Sequence, residues 1–433
     1  MDASTLATIV LLGGFFFLMF LRIPVTFSLL IATLVSALIS GTNLSVMVNS
    51  MVLGANNVQL LAIPFFIIMG DIMAAGGMSD KIVALANMAV GRLRGGLAYV
   101  NVLDSMFFGG ISGSAVADVS SLGSIVIPMM KKQGYKPEFA VGLTVVTACQ
   151  GVLIPPSHNM VIYAVSAGGA VTVGSMLIGG LMPGLMLGAS LIIMLTLLAN
   201  HYKFPGGVAA DYKGRRTKII LDAAAPMMIF VIIMGGISAG IFTATESSAI
   251  ACMYTFIITY FVFRSASLRD FGTVLKKSLK TLAVVMTLIA TAKAFAYMMT
   301  DLRIPEQITA TLLALTHNKM LLLLIINLML LILGCFMDMA PLIMIMTPIL
   351  LPVVTSPAIG MHPVHFGVML IFNLAVGLCT PPVGSALYVG CAVGKTTLEK
   401  TSIAMLPMYA TMVIALLLVT FVPAFSLWLP GLL

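Results

Sequence analysis

The sequence predicts an all-α integral membrane protein built from two repeats of opposite orientation, each with a re-entrant helical hairpin and a Pro-Pro-broken span. Three observations support this fold class. Apolar residues make up 60% of the 433 residues and charged residues 8%, which is typical of chains whose apolar segments lie in lipid. Gly, Ser and Asp interrupt two apolar segments, and each of these segments is followed by another that a Pro-Pro pair divides. Most cations also lie on one side of the resulting topology.

The length and composition set the number of spans and exclude several classes of protein. A spanning helix needs roughly 20 residues, so the chain has room for about ten spans and two hairpins. The net charge of +8 is attributed to loops on the cytoplasmic side rather than to binding of nucleic acid. The five cysteines lie in apolar segments without metal-ligand spacing and are interpreted as core residues. The first apolar segment has no signal-peptide pattern and is interpreted as a retained span.

The first repeat is assigned to residues 1–200. Its hairpin is expected at about 97–128, where an apolar segment has a centre rich in Gly and Ser and ends at Pro128. In lipid, such a break is tolerated only where the freed backbone groups are buried in protein or line a polar cavity. The hairpin tip is therefore expected near Gly109–Ser114. The full spans and the lateral piece are expected near Ser4–Leu21, Pro24–Ser40, Ile63–Ala75, Ser79–Arg94 (lateral) and Val173–Ala199.

The broken span of the first repeat is expected at about 139–167. Its centre reads Leu153-Ile-Pro-Pro-Ser-His158. Adjacent prolines remove two backbone donors and disfavour the helical conformation of the preceding residue. The segment is therefore predicted to form two half-helices joined by an unwound link.

The second repeat is assigned to residues 219–433, after a basic cytoplasmic linker at 201–218. Its hairpin is expected at about 320–352 and carries Asp338, and its broken span is expected at about 366–393, with the break at Leu378–Val383. The remaining spans are expected near Ile219–Gly240, Thr243–Phe263, Thr281–Thr300 and Ser402–Leu429.

The distribution of cations provides an independent test of the inverted arrangement. Each repeat has five full crossings plus a hairpin that does not cross, and an odd number of crossings places the second repeat upside down. If the turn at Arg22 is cytoplasmic, 19 of the 22 lysines and arginines lie on the cytoplasmic side. The positive-inside rule then predicts that both termini lie outside.

The paired hairpins and broken spans indicate the site. Inverted repeats with broken helices are the architecture of secondary transporters, in which half-helix ends and unwound carbonyls coordinate ions near the bilayer midplane. Na⁺ accepts several oxygens without strict directional demands, and both hairpin tips and links supply carbonyls and hydroxyls. The small residues could alternatively serve only close helix packing. The candidate oxygen donors are Gly110, Ser112, Ser114, Gly151–Ser157 including Pro155, Gly334–Asp338 and Gly377–Thr380.

Asp118 and Asp338 are the carboxylates of the two hairpins. An ionisable group at membrane depth is a functional hypothesis by default. The alternative is that each carboxylate caps the N-terminus of a half-helix. We expect the two residues to be equivalent across the pseudo-two-fold axis.

Four further polar residues are candidates for contact with a substrate. Lys293 could bind a carboxylate, pair with Glu246, or extend its amine from a helix end. Arg303 could clamp a carboxylate through two hydrogen bonds or remain solvated. Ser157 in the first link is a candidate substrate contact, whereas the adjacent His158 is interpreted mainly as a packing residue.

Several motifs together resemble a known family. The chain looks like the large membrane subunit of tripartite ATP-independent periplasmic (TRAP) transporters over nearly its whole length. It differs from the usual pattern at Met339-Ala-Pro341 and at Thr243-Ala-Thr-Glu246. The motifs that carry the resemblance are Gly110-Ile-Ser-Gly-Ser-Ala-Val-Ala-Asp118, Leu153-Ile-Pro-Pro-Ser157, Leu61-Ala-Ile-Pro-Phe-Phe66, Gly235-Gly-Ile-Ser-Ala-Gly-Ile-Phe-Thr-Ala-Thr-Glu246 and Thr380-Pro-Pro-Val-Gly384.

The resemblance implies a Na⁺-coupled importer of organic acids with an elevator-type fold in the bacterial inner membrane. It implies two protein partners, a small four-helix membrane subunit and a periplasmic substrate-binding protein, and no cofactor besides the coupling Na⁺ ions. The first sodium site would use Ser112, Ser114, Asp118 and carbonyls of Gly151–Pro155. The second site would use Asp338 and Thr380.

Two alternatives remain open at this stage. One is a Na⁺- or H⁺-coupled two-hairpin anion transporter that works without a binding protein. The other is a channel or scaffold, against which the duplicated Pro-Pro links argue. An ATPase or membrane enzyme is not expected, because the sequence contains no nucleotide-binding loop, metal-ligand cluster or nucleophile triad.

Overall fold

The described part of the protein consists of helices joined by turns and links, and it contains no strand. A computed structural model describes residues 2–201, 204–206, 216–316 and 318–432, without the side chains of residues 110–112, 200, 201, 313 and 315. The helices of the first half of the chain are α1 (Ala3–Phe20), α2 (Val25–Ser40), α3 (Leu44–Ala55), α4 (Ala62–Ala75), α5 (Met78–Val90), α6 (Gly96–Ser112), α7 (Ala115–Lys132), α8 (Pro137–Gly151), α9 (His158–Ser166) and α10 (Val173–His201).

The second half of the chain contains twelve helices within the described residues. π-helical turns at Val231–Gly235 and Ile258–Val262 extend α11 and α13. The helices are α11 (Arg216–Phe230), α12 (Gly236–Ser238), α13 (Ala244–Ile257), α14 (Leu268–Asp301), α15 (Ile304–Leu315), α16 (Lys319–Phe336), α17 (Met339–Thr355), α18 (Pro363–Leu378), α19 (Ser385–Gly394), α20 (Leu398–Ala404), α21 (Leu406–Phe421) and α22 (Ala424–Leu427).

Long apolar helices confirm an integral membrane protein. Six described helical segments are long and apolar enough to cross a membrane. The pair α20 and α21, predicted as one span at Ser402–Leu429, passes the same test but is bent by 60°. The remaining predicted spans correspond to shorter helices, such as α2, or to helices separated by a link. The six segments are Ala3–Phe20, Val58–Ala75, Val173–Ala199, Arg216–Ser238, Leu268–Asp301 and Lys319–Phe336.

Both hairpins form where the Gly-, Ser- and Asp-containing segments predict them. The turn between α6 and α7 consists of Gly113, whose φ of 62° is left-handed, and Ser114. The turn between α16 and α17 consists of Met337 and Asp338. The helices continue past the prolines at which the hairpins were predicted to end, Pro128 and Pro352. Proline is tolerated inside membrane helices when surrounding groups satisfy the freed backbone carbonyl.

Both broken spans also form, and they lie at the centre of the molecule. Residues 152–157 separate α8 from α9, and residues 379–384 separate α18 from α19. Every residue of α18 from Val364 to Leu378 is buried, as is every residue of α8 from Phe139 to Gly151. Helices α8 and α18, which lead into the two links, are therefore enclosed by protein rather than by lipid. An unwound segment at membrane depth requires such an enclosure.

Helix α14 differs most from the sequence prediction, which placed a span only at Thr281–Thr300. The helix is continuous over 34 residues and begins at Leu268. Its first turns contact α4, where the amine of Lys277 lies 2.7 Å from a carboxylate oxygen of Asp71. The hydroxyl of Ser278 donates to the other oxygen of Asp71, also at 2.7 Å. A charged surface segment and an apolar span therefore form one helix.

The predicted linker at 201–218 lies mostly outside the described residues. At its start, Phe204 packs against Tyr135 and Phe139. The backbone N–H of Gly95 donates to the carbonyl of Pro205 at 3.0 Å. The residues that follow α10 therefore pack against the chain where α6 and α8 begin.

Candidate functional site

The first hairpin and the first broken span touch through glycine backbones. A Cβ added to Gly151 would lie 2.5 Å from Cα of Gly109 and 2.9 Å from the carbonyl oxygen of Ser105. A Cβ added to Gly109 would lie 2.5 Å from Cα of Gly151 and 2.7 Å from Oδ2 of Asp118. Because no side chain fits between these helices, their backbone groups come close enough to share one site.

The tip of the first hairpin contacts the unwound link. A Cβ on Gly113 would meet Nδ1 of His158 at 2.9 Å and Cα of Ser157 at 3.4 Å. The side-chain amide of Asn159 donates to the carbonyl of Gly113 at 3.3 Å. Residues 152–157, including Pro155, are all buried. The structure thus brings together the tip and the link that the sequence paired.

Ser157 provides an available oxygen in this link. It occupies the N-cap position of α9 but makes no side-chain capping bond. Its hydroxyl is buried and has no hydrogen-bond partner in the described part of the chain. A buried hydroxyl without a partner costs free energy, so a bound ion or substrate oxygen that used it would be stabilised.

The polar residues of the first hairpin have different roles from one another. Ser114 caps α7, since its hydroxyl accepts from the backbone N–H of Ala117 at 3.4 Å. Asp118 lies one turn further on, is 1% exposed and rests against Gly109. Ser114 therefore supplies the side-chain cap of α7, and Asp118 lies in the first turn of the same helix. The structure does not describe the side chains of residues 110–112, so the assignment of Gly110 and Ser112 to the site stays a prediction.

The second hairpin and the second broken span repeat the glycine contact. A Cβ on Gly377 would lie 2.7 Å from both Cα and the carbonyl carbon of Gly334. The backbone N–H groups of Val383 and Gly384 donate to the carbonyl of Cys335 at 3.2 and 3.5 Å. The second link is therefore attached to the end of α16 by main-chain contacts.

The carboxylate of the second hairpin occupies a different place from that of the first. Asp338 is exposed at the N-cap of α17 and makes no side-chain capping bond there. The hydroxyl of Ser385 donates to it at 3.5 Å. The expected equivalence with Asp118 is wrong, because Asp118 is buried one turn inside its helix whereas Asp338 lies in the turn itself.

Thr380 lies in the second link and is half-buried. Its hydroxyl donates to the carbonyl of Val376 at 2.6 Å, which leaves the oxygen lone pairs available to a cation. The following residues, Pro381 to Val383, are exposed. The second link is thus open on one side, whereas the first link is enclosed.

Buried amide contacts fix each hairpin to its broken span. In the first repeat, Thr147 Oγ1 donates to Oδ1 of Asn101 at 3.1 Å. In the second repeat, Nδ2 of Asn373 donates to Oδ1 of Asn327 at 2.9 Å. Asn101 precedes Asn327 by 226 positions, and Thr147 precedes Asn373 by the same number. Sequence reasoning missed these pairs, although that constant spacing of polar residues in apolar helices could have revealed them.

The candidate substrate residues other than Ser157 do not converge on the links. The stem of Lys293 packs against Gly54 of α3, where an added Cβ would lie 2.6 Å from it. Glu246 does not pair with Lys293, because its carboxylate accepts from the N–H and hydroxyl of Thr243, both at 2.8 Å. Arg303 is exposed in the left-handed turn between α14 and α15. The described contacts of Lys293 and Arg303 thus involve α3 and the α14–α15 turn rather than a link.

Comparison with known proteins places the chain among membrane transport proteins. The profile of the family described as "Tripartite ATP-independent periplasmic transporter, DctM component" matches residues 12–425. The large permease protein DctM of Rhodobacter capsulatus, a C4-dicarboxylate TRAP transporter protein, is 36% identical over 88% of each chain. The sialic acid TRAP transporter large permease SiaM of Vibrio cholerae is 35% identical over 97% of each chain. The isethionate TRAP transporter permease DctMQ of Oleidesulfovibrio alaskensis is 36% identical, and the chain spans 66% of that longer protein.

Two solved transporters share the fold at low sequence identity. The YdaH transporter of Alcanivorax borkumensis superposes with a TM-score of 0.64 over 88% of this chain and 87% of that one, at 13% identity. MtrF of Neisseria gonorrhoeae gives 0.61 over 99% and 95%, also at 13% identity. The fold, the paired hairpins and the match over nearly the full length lead to one conclusion: the chain belongs to the tripartite ATP-independent periplasmic transporters as a DctM-type large permease, a transport protein and not an enzyme.

Proposed function

We propose that this permease imports a small organic anion, coupled to Na⁺, with a periplasmic binding protein delivering the substrate and a small four-helix membrane subunit as its partner. The proposal places the protein in the bacterial inner membrane with both termini periplasmic. The observation that carries it is the pair of glycine contacts, each of which joins a hairpin to the end of the half-helix that leads into an unwound link.

The links and tips supply the chemistry that Na⁺ coupling requires. Half-helix ends and unwound carbonyls are the usual ion ligands of secondary transporters with paired broken helices. At the first site, Oδ2 of Asp118 lies beside Gly109, and the unpaired hydroxyl of Ser157 belongs to the residue that lies against the hairpin tip at Gly113. At the second site, Asp338 and Thr380 offer oxygens at an exposed link. Na⁺ bound at both sites would offset the buried polar groups and stabilise the loaded form.

An elevator movement fits the way in which hairpins and broken spans are joined. Each hairpin is held to its broken span by main-chain contacts and by a buried polar pair. These four elements would therefore move together against α1–α5, α11, α13 and α14. The substrate would travel with them, with its anionic group at a helix end.

The substrate class follows from the named relatives. C4-dicarboxylates, sialic acid and isethionate are the substrates in the relatives' names, and all are small organic anions. We propose an acid of the C4-dicarboxylate, sialic-acid or sugar-acid type. Ser157 lies against the first hairpin tip, whereas Lys293 and Arg303 would need to approach it in another conformation.

Reconstitution tests this function directly. The permease, its small subunit and its binding protein would be placed in proteoliposomes and given radiolabelled succinate, N-acetylneuraminate or isethionate. Accumulation of one of these acids is expected only with an inward Na⁺ gradient and with the binding protein present. Equal uptake with K⁺ replacing Na⁺ on both sides would refute sodium coupling. Uptake without the binding protein would favour the alternative, a two-hairpin anion transporter that works alone.

A further inference from the structure

Asp104 is a buried carboxylate that the proposed sodium sites do not use. It lies in the middle of α6 and is 0% exposed. Both of its carboxylate oxygens lack a hydrogen-bond partner within the described residues. Its polar neighbours on α6 are engaged elsewhere: Asn101 donates to Thr144 at 2.7 Å, and Ser105 donates to Thr147 at 3.0 Å.

An ionised carboxylate is not stable in such a place. Burial of an isolated charge without a hydrogen bond or a counter-ion is so costly that the group takes up a proton instead. The neighbouring helices α5 and α7 carry the acids Asp80 and Asp118.

The cations on the helices that pack against α6 are engaged elsewhere or exposed. The amine of Lys81 lies over the ring of Phe263, Lys131 donates to the carbonyl of Gly394, and Lys132, Arg216 and Lys218 are exposed. The one acid of α4, Asp71, is paired with Lys277, and α8 contains only Glu138, in its first turn. Helix α10 has no charged residue between Val173 and Ala199. A proton is therefore the simplest species that can neutralise Asp104 in this conformation.

The architecture of the hairpin does not require an acid at this position. Asp104 follows Asn101 by three residues, and in the second repeat Leu330 follows Asn327 by three residues. Leu330 is also 0% exposed and belongs to the hydrophobic core. The same helix is thus built with leucine in the second repeat, so the carboxylate of the first repeat serves something other than packing.

We propose that Asp104 is a proton-binding site, distinct from the sodium sites and held as a neutral carboxylic acid while α6 is enclosed. It precedes Gly110, the first candidate sodium ligand, by six residues, or about 9 Å of helix. When movement of the hairpin admits water, the O–H bond breaks, the proton passes to that water, and the carboxylate remains. This inference rests on the proposed transport function, to which it adds a dependence on pH.

Infrared spectroscopy tests the protonation state without transport. The wild-type protein in lipid should show the carbonyl band of a protonated carboxylic acid, which shifts in D₂O. Asp104→Asn and Asp104→Leu should each lose this band. Asp80→Asn is the matched control, because Asp80 is an exposed acid on the neighbouring helix, and it should retain the band. Spectra in which the band survives in both Asp104 variants, or is absent from the wild type, would overturn the proposal.

Transport measurements then test the role of the proton. At a fixed Na⁺ gradient, we expect wild-type and Asp80→Asn uptake to change several-fold with a pH gradient, and the Asp104 variants to show no change. The Na⁺ concentration for half-maximal uptake should be unaltered. A variant that kept the pH response, or whose Na⁺ dependence shifted instead, would refute the proton site. If the wild type showed no Na⁺-driven uptake, the transport proposal would fail while the infrared result still decided the state of Asp104.

Discussion

The Gly109–Gly151 contact gives the sharpest prediction about the site. Gly151→Ala would place Cβ 2.5 Å from Cα of Gly109. At least about 0.9 Å of separation is needed to bring 2.5 Å to the ordinary contact of 3.4 Å. No rotamer change can relieve this, because the opposing atoms belong to the backbone. Overpacking costs about 1–3 kcal/mol, and the upper end is expected here.

The net effect and its control can be estimated. Alanine gains up to about 1 kcal/mol over glycine in a helix, which leaves a loss of about 2 kcal/mol for Gly151→Ala. Gly272→Ala in α14 is the matched control, since no atom lies within 4 Å of its added Cβ. The control should be neutral or gain up to about 1 kcal/mol.

Thermal unfolding in detergent, with Na⁺ or with K⁺, is the assay. Binding of Na⁺ at 100 times its dissociation constant stabilises the folded state by about 2.7 kcal/mol. Gly151→Ala should unfold at lower temperature than Gly272→Ala and should lose most of the Na⁺-dependent shift. If Gly151→Ala matched the control in both respects, the close contact would not define an ion site.

Three other predictions concern charge and topology. Asp118→Asn should fold normally and raise the Na⁺ concentration needed for uptake. Asp338→Asn should do the same at the exposed site. If the curves of uptake against Na⁺ concentration were unshifted for both variants, backbone and hydroxyl oxygens would be the only ligands. A cysteine at Gly206 should resist a membrane-impermeant thiol reagent in intact cells, and labelling there would contradict the cytoplasmic linker. Asp71→Asn should lower stability in detergent by less than about 1 kcal/mol, because its partner Lys277 is 68% exposed and exposed ion pairs contribute little; a larger loss would show that α14 depends on this pair.

Much of the architecture could be predicted from local sequence. Gly113 and the Pro-Pro pairs interrupt apolar helices in a way that lipid tolerates only in hairpins and links, and both features lie where they were expected. The start of α14 could not be predicted, because Lys276, Lys277 and Lys280 in its first turns resemble a surface loop. The contact of Lys277 with Asp71 of α4 is visible only in three dimensions.

The site was harder to predict than the fold. Asp118 and Asp338 look alike as single acids in apolar hairpins, yet one lies inside a helix and the other in a turn. Gln150 was missed: both polar atoms of its buried side chain lack a partner in the described part of the chain. An isolated polar residue has no spacing signal, so its burial depends on which helices cross beside it.

The two glycine contacts also determine how the tips can open. A hairpin that touched its broken span through side chains could swing away by changing rotamers, as a flap does. At Gly109–Gly151 and Gly334–Gly377 no side chain is available to adjust. Hairpin and broken span should therefore behave as one rigid body. Spin labels placed on α7 and α9 would keep their separation throughout transport, while the separation between α7 and α14 would change.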